Sequence, residues 1–291
     1  MEIIGEHMKK VLITGCSGYI GSHLSKLLEG KYIVHGLDIN EPIVHMDKFY
    51  QVDINRLFTI PDQTEPYDVV IHLAALVNVG ESEKMPIMYY ITNLNGTMNV
   101  LNKVPTKNFI FASTGAAALC ESAYGISKRA AEDCVVEYCT KHSPKDYTMF
   151  RFYNVIGSSY GIKPTNPDGL MYNLMKAKDR GSFTIFGNDY ETKDGTCMRD
   201  YVHVLEICEA IKTAIEQPAN GLENLGHGFG MSVNDMVRAF KNVNKVDFNV
   251  EYGPRRKGDA AVSVLQNPSK YMKSLFAFEE LLKVDKDNNL L

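Results

Sequence analysis

No apolar run in this sequence reaches the roughly 18 residues that crossing a bilayer requires. The opening MEIIGEHMKKVLITG carries acids where a secretory signal has an unbroken apolar stretch, so a cytoplasmic setting is expected. An excess of one charge is missing too. The formal net charge is −4, with 23% charged and 45% apolar residues, which speaks against both disorder and an all-over attraction to nucleic acid. The six cysteines, at 16, 120, 134, 139, 197 and 208, contain no C-x-x-C pair. A chain of 291 residues can bury a core without disulfide staples, so they read as reduced thiols. The eight histidines are scattered, and no metal site is expected.

What is present is alternation. Short apolar runs at 9–15, 32–38, 69–75, 108–114 and 148–154 have the near-continuous hydrophobicity of strands buried on both faces. Helical patterns lie between them: Ile20, Leu24, Leu27 and Leu28 share one face, as do Met98, Val100, Leu101 and Val104. The expected fold is α/β, a Rossmann-like doubly wound parallel sheet followed by a smaller, loop-rich C-terminal lobe. The boundaries expected are 1–156 for the sheet domain, with 197–230 returning to it, and 157–196 plus 231–291 for the lobe.

The stretch GCSGYIG, Gly15 to Gly21, follows the first strand and opens a helix. Gly15 suits a tight turn, Gly18 a close backbone approach to a pyrophosphate, and Gly21 close helix–sheet packing, with Tyr19 and Ile20 at the helix start. A plain β–α turn is the competing reading. Asp38 ends the second strand 23 residues after Gly15, followed by Ile39 and Asn40. A carboxylate there accepts from a ribose hydroxyl and repels a 2′-phosphate, which favours NAD over NADP. Further on, AYGISK puts Tyr124 and Lys128 four residues apart on an expected helix, hence on one face. A phenol held beside a cation and a positively charged nicotinamide can act as a base. On its own the pair also reads as a half-buried tyrosine with a solvated lysine.

With these motifs placed, the chain resembles the extended short-chain dehydrogenase/reductases, and among them the UDP-glucose (UDP-galactose) 4-epimerases. The likeness runs over nearly the whole chain, through TGCSGYIG, HLAA (72–75), VGESEKMPIMYYITNLNGT (79–97), FAST (111–114), YGISK, RFYNVIG (151–157), IFGNDYETKDGTCMRDYVHV (185–204) and RRKGD (255–259). The resemblance implies that Tyr124 takes the proton of the sugar 4-hydroxyl, that Lys128 holds the nicotinamide ribose and lowers the phenol pKa, and that Thr114 hydrogen-bonds the reacting oxygen. It implies cofactor contacts from Asp53, Ile54, Leu73, Ala74, Ala75, Asn93 and Tyr153. On the substrate side it implies Asn154, Phe186 for uracil, Arg199 and Arg256 for the diphosphate, and Asp259 near the nucleotide ribose. Arg199 could instead pair with Asp200, and Arg255-Arg256-Lys257 could be a solvated charge run. It further implies a homodimer built from helices at 84–104 and 122–142, for which core packing is the competing explanation.

The residues after Thr114 are Gly115 and Ala116, where dehydratases and decarboxylases of the same fold carry acids, so simple C4 epimerisation of a UDP-hexose is the expected reaction. An epimerase of UDP-GlcNAc or UDP-glucuronate, and a non-catalytic dinucleotide-binding protein, are the alternatives. Several departures from the family pattern stand out. The Thr114 to Tyr124 segment is short, Val77 replaces a lysine, and the phosphate-contacting asparagine has only Asn173 as a candidate. The position that limits sugar size falls on Ser263 or Val264, both small. His72 and His203 are expected to satisfy backbone rather than bind metal, and Cys16 and Cys197 to pack.

Overall fold

Residues that must be dry on both faces become the centre of a parallel sheet, and the N-terminal apolar runs do so. The computed structural model describes residues 8–61, 63–144, 146–256, 259–275 and 282–283. In chain order the elements are β1 (Lys10–Thr14), α1 (Tyr19–Leu28), β2 (Ile33–Asp38), β3 (Lys48–Gln51), β4 (Tyr67–His72), α2 (Val79–Ser82) and α3 (Pro86–Tyr89). A π-helical turn at Tyr90–Asn95 leads into α4 (Gly96–Lys103), β5 (Thr106–Thr114), α5 (Ala116–Leu119), α6 (Ala123–Lys141) and β6 (Asp146–Phe152). Then come β7 (Asn154–Ile156), α7 (Leu170–Arg180), β8 (Ser182–Phe186), β9 (Met198–His203), α8 (Val204–Glu216), β10 (Gly221–Leu225), β11 (Gly230–Ser232), α9 (Val233–Asn244), β12 (Asn249–Gly253) and β13 (Val262–Ser263).

Seven strands form one sheet in the order β10-β6-β5-β4-β1-β2-β3, every neighbouring pair parallel. The order reverses between β1 and β4, which opens a crevice at the carboxyl ends of those strands, the position where such sheets bind ligands. Alternation along β1 serves both faces. Val11 and Ile13 pack with Leu24 and Leu28 of α1 and Ile207 and Ile211 of α8, while Leu12 packs with Val100 of α4 and Val135 of α6.

The expected helix at 84–104 is broken. Pro86 starts α3, the π-helical turn follows, and Gly96 opens α4, where a Cβ would come within 2.7 Å of Ile54 Cδ1. The expected helix at 122–142 is α6, begun by Ser122, whose Oγ accepts from the Gly125 N–H at 3.1 Å.

The rest of the chain builds two small sheets. β9 pairs in parallel with β7 and β13 and antiparallel with β11, and β8 pairs with β12. Met171, Leu174, Phe183, Met236 and Phe240 form their core. Within the 197–230 segment, β10 adds to the large sheet and α8 covers it, whereas β9 pairs only in the four-stranded sheet. Lys257 and Gly258, part of the RRKGD motif, lie outside the described residues. No helix among the described residues is long and apolar enough to cross a membrane.

Candidate active site

The crevice begins at Gly15. Its φ of +73° lies in the left-handed region, and a Cβ there would sit 2.6 Å from the Ala74 nitrogen, so only glycine lets the β1 and β4 loops meet. At Gly21 a Cβ would run into the Gly15 carbonyl oxygen. Gly18 is different: it is extended at φ −74°, caps α1 without a side-chain partner, and a Cβ there would meet only the Gly15 oxygen, at 3.2 Å. The first N–H groups of α1 are thus uncapped, beside a glycine whose missing side chain leaves space. That cradle fits a pyrophosphate.

Asp38 is positioned beside it, accepting from the Ser17 N–H at 3.1 Å and the Asn40 N–H at 2.9 Å. Ile39 is 59% exposed, an apolar surface at the end of β2. Asp53 accepts from the Asn55 N–H at 2.9 Å and lies 3.5 Å from Arg56. Leu73 and Ala74 donate to the Thr14 backbone oxygen and Thr14 Oγ1 at 3.0 and 3.4 Å, which pins the loop that runs on to the half-buried Ala75.

Four expected cofactor residues have side chains engaged inside the protein. Tyr19 donates its hydroxyl to the Gly157 carbonyl at 2.6 Å. Ile54 packs in the core against Gly96. Ile20 adds to the core on the α8 side but, as part of the first turn of α1, keeps its backbone at the cradle. Asn93, fully buried, accepts from the Leu76 N–H at 2.8 Å and donates to the Leu76 oxygen and Ser127 Oγ at 2.9 and 3.0 Å. It clamps the β4 loop to α6. His72 also braces this loop. Its Nδ1 lies 2.6 Å from Thr14 Oγ1 and its Nε2 3.0 Å from Thr97 Oγ1, which in turn donates to the Asn93 oxygen at 2.7 Å. Burial, helped by the Lys128 charge, pushes this imidazole down to about 3, so it is neutral.

Tyr124 and Lys128 sit on the first two turns of α6, against the end of β5. The Tyr124 hydroxyl lies beside the Thr114 side chain, and its ring meets Tyr89 edge-on at 6.3 Å. Burial of the hydroxyl pushes the phenol up to about 12, which the Thr114 side chain only tempers. The expected lowering by Lys128 is therefore absent in the bare protein: desolvation dominates. Lys128 is 3% exposed and lies 4.1 Å from the centre of the Phe111 ring. Desolvation pushes it down to about 7, against the pull of Glu132. Among the described residues nothing accepts a hydrogen bond from its Nζ, so it offers three donors to a ligand.

The short Thr114 to Tyr124 connection is closed by α5 and by Cys120 at φ +55°, with Glu83 accepting from the Ala123 N–H at 3.0 Å. Tyr153 lies over Gly115, whose added Cβ would be 3.3 Å from the ring. Asn154 donates to the Asp200 carbonyl at 3.1 Å.

On the lobe side, Arg256 lies 4.2 Å from the centre of the Phe186 ring and donates to the Asp168 carbonyl at 3.4 Å. Arg199 donates to the Met198 and Ala260 carbonyls at 2.9 and 2.8 Å and pairs with Asp259 at 3.6 Å. Its partner is thus not Asp200, whose carboxylate accepts from the His227, Gly228 and Leu265 N–H groups. Arg255 pairs with Asp189 at 2.7 Å and is structural. Asn173 donates to the Pro167 and Gly169 carbonyls, bracing its own helix start. Ser263 faces Arg199 across the β13–β9 pair.

The sequence did not single out the Asn78 to Asp168 hydrogen bond, which ties the β4 side to the lobe. Nor did it single out Glu132, although the spacing, four residues after Lys128 on α6, places it on the same helix face. A cavity of about 640 Å³ lies elsewhere, lined by Lys193, Asp194, Arg238, Lys241 and Tyr252 among others, and none of the expected site residues lines it. Among the described residues no cluster of His, Cys, Asp or Glu is placed to hold a metal.

A profile of the NAD dependent epimerase/dehydratase family matches residues 11–226. The chain belongs to this family. The UDP-glucose 4-epimerase of Bos taurus is 30% identical, with 92% of this chain and 91% of that protein covered. UDP-arabinose 4-epimerase 1 of Arabidopsis thaliana is 32% identical, with 91% of this chain and 74% of that one covered. Among solved structures, the UDP-glucose 4-epimerase of Brucella ovis in complex with NAD is 28% identical with a TM-score of 0.82, covering 94% of this chain and 96% of that one. These relatives share C4 epimerisation and differ in sugar, so the class of NAD-dependent UDP-sugar 4-epimerase follows and the individual sugar does not. The bovine alignment spans 321 positions although this chain has 291 residues, so residues present in that relative are missing here.

Proposed function

We propose that the protein inverts C4 of UDP-glucose and UDP-galactose through a transient 4-keto sugar. The observation that carries the reading is the placing of the Tyr124 hydroxyl beside the Thr114 side chain at the end of β5, one helical turn from the buried Lys128 and followed by Gly115 and Ala116. A hydroxyl pair with a nearby cation can move one proton. Without an acid at 115 or 116 it cannot help expel water from the sugar.

Bound NAD supplies the hydride acceptor and donor for the sugar carbon. The chain does the rest. Tyr124 Oη takes the 4-hydroxyl proton and gives it back, and Thr114 Oγ1 holds the reacting oxygen in line. A phenol near 12 is too weakly acidic to work as a base at neutral pH, so the Lys128 cation and the positive nicotinamide must both be present before Tyr124 ionises. Gly15, Gly18 and Gly21 with the α1 N–H groups hold the dinucleotide, and Asp38 its ribose. Arg256, Arg199 and Phe186 hold the UDP while the ketose turns.

The same reading has the parallel-sheet half bind the cofactor, the lobe bind the nucleotide sugar, and two copies pair through α3, α4 and α6. Ile87, Met98 and Ile126 are exposed there, and this is checked by molar mass in solution. Six unpaired thiols support a cytoplasmic setting.

The decisive experiment incubates the protein and NAD with UDP-galactose, UDP-glucose, UDP-GlcNAc and UDP-glucuronate and follows C4 epimers by NMR. Interconversion of the first two is expected. Conversion of only an N-acetylated or uronic sugar would overturn the substrate assignment, and conversion of none would overturn the reaction. The small side chains of Ser263 and Val264 favour some turnover of UDP-GlcNAc as well.

A further inference from the structure

The hydrogen bond from Asn78 to Asp168 crosses from the cofactor half to the lobe. Asn78, in the loop after Ala75, uses its Oδ1 to accept from the Glu81 N–H at 2.9 Å and so caps α2. Turned over, the amide would set donor against donor at Glu81, so Nδ2 is the end that meets the Asp168 carboxylate. Asp168 sits on a braced turn. Its own N–H donates to Asn166 Oδ1 at 3.0 Å, and Asn173 donates to the Pro167 and Gly169 carbonyls on either side of it at 2.6 and 3.0 Å. The Asp168 carbonyl accepts from Arg256 at 3.4 Å. The side chain is exposed, and among the described residues no cation pairs with its carboxylate and nothing donates to its Oδ1.

A hexose has to span the same gap. Under the reading above its 4-hydroxyl meets Tyr124 and its diphosphate meets Arg256. Asp168 touches Arg256 directly, and Asn78 leads from it toward the phenol: the Asn78 N–H donates to the Tyr89 hydroxyl at 3.1 Å, and the Tyr89 ring meets Tyr124 edge-on at 6.3 Å. Two other carboxylates near this path are already engaged, Glu81 by the Tyr89 hydroxyl at 2.8 Å and Asp259 by Arg199 at 3.6 Å. We propose that Asp168 is a specificity-determining residue that selects UDP sugars with an uncharged ring and turns away uronates. Its carboxylate can accept from sugar hydroxyls, whereas the carboxylate of a uronate meets a like charge with no cation to share. The screening length at physiological salt is about 8 Å, longer than a hexose ring is wide, so the repulsion reaches a ring carboxylate on either edge. The inference rests on the nucleotide-sugar site proposed above and narrows its class of sugar.

The test reads binding rather than turnover. The full chain loaded with NAD is titrated by calorimetry with UDP, UDP-glucose and UDP-glucuronate. The uronate is expected to bind at least about fivefold more weakly than UDP-glucose. Asp168→Asn keeps an oxygen for Asn78 and removes only the charge, so it should bring the two sugars to within about twofold of each other, with UDP alone held as before. Asn78→Ala cuts the bond and keeps the charge, so the preference for UDP-glucose should remain. A bond that only braced the lobe would give the reverse, with no change in Asp168→Asn and an equal weakening of both sugars in Asn78→Ala. That pattern overturns the proposal. So does a wild type that binds both sugars alike, or a gain in Asp168→Asn that UDP alone shares, which would set the charge against the diphosphate. Failure to invert any sugar while the binding preference still shifts would refute the reaction and leave this inference standing, whereas failure to bind UDP would refute the site on which both rest.

Discussion

The two sides of the crevice are prepared to different degrees. On the parallel-sheet side the structural bonds are already made, and the α1 N–H groups at Gly18 and the Lys128 amine are left without hydrogen-bond acceptors among the described residues. On the lobe side the candidate ligands are engaged with one another, Arg256 on the Phe186 ring and Arg199 with Asp259. The first side can accept its ligand without rearrangement. The second must exchange an internal contact for each one it makes to a nucleotide, which spends part of the binding energy on release.

The sharpest break of this comparison is Tyr124→Phe, which should lower kcat by about 10²- to 10⁴-fold while NAD affinity, measured by fluorescence titration, stays within a few-fold. Parallel losses in both would show that the phenol is part of the cofactor cradle instead. Arg256→Ala should raise the KM for UDP-galactose by about 10- to 100-fold and leave NAD affinity alone. Gly18→Ala is its mirror image: its backbone is ordinary and its new Cβ meets one atom, so the melting temperature should hardly change while NAD binds about tenfold more weakly.

The smallest effect expected is on stability. Desolvation pushes Lys128 down to about 7, far below an unfolded lysine, so the folded state loses stability as pH falls toward 7 and the full penalty is present below it. Lys128→Met should therefore melt several degrees higher than wild type at pH 6 without NAD, with a shrinking margin toward pH 10, read by calorimetry. A margin that does not change with pH would mean that Lys128 is charged throughout.

The cofactor side could be read from the sequence because its signals are local: five of the seven large-sheet strands are continuous apolar runs, and Gly15, Gly18 and Gly21 sit at fixed offsets after the first. β3 escaped because its four residues, KFYQ, are polar at both ends and lie at the sheet edge. The lobe was hard to read because β9 finds its partners β7, β11 and β13 at distant points of the chain, and β13 has only two residues. Arg199 illustrates the cost. Adjacent residues of a strand point to opposite faces, so Arg199 and Asp200 could not pair, yet nothing local indicated that Asp259 would come to meet it. Asn93 shows a related limit: its motif matched, but nothing local indicated that its side chain would be buried on Leu76 and Ser127.

The His72 brace sets a limit on proton traffic. Thr97 has one hydrogen and spends it on the Asn93 carbonyl, so the imidazole must donate at Nε2 and receive from Thr14 at Nδ1. Every link in that row then has a single permitted direction, and the row ends on an amide oxygen that cannot release a proton onward. The imidazole is a strut, not a relay, and a proton leaving the Tyr124 phenol would have to reach bulk water by some path other than His72.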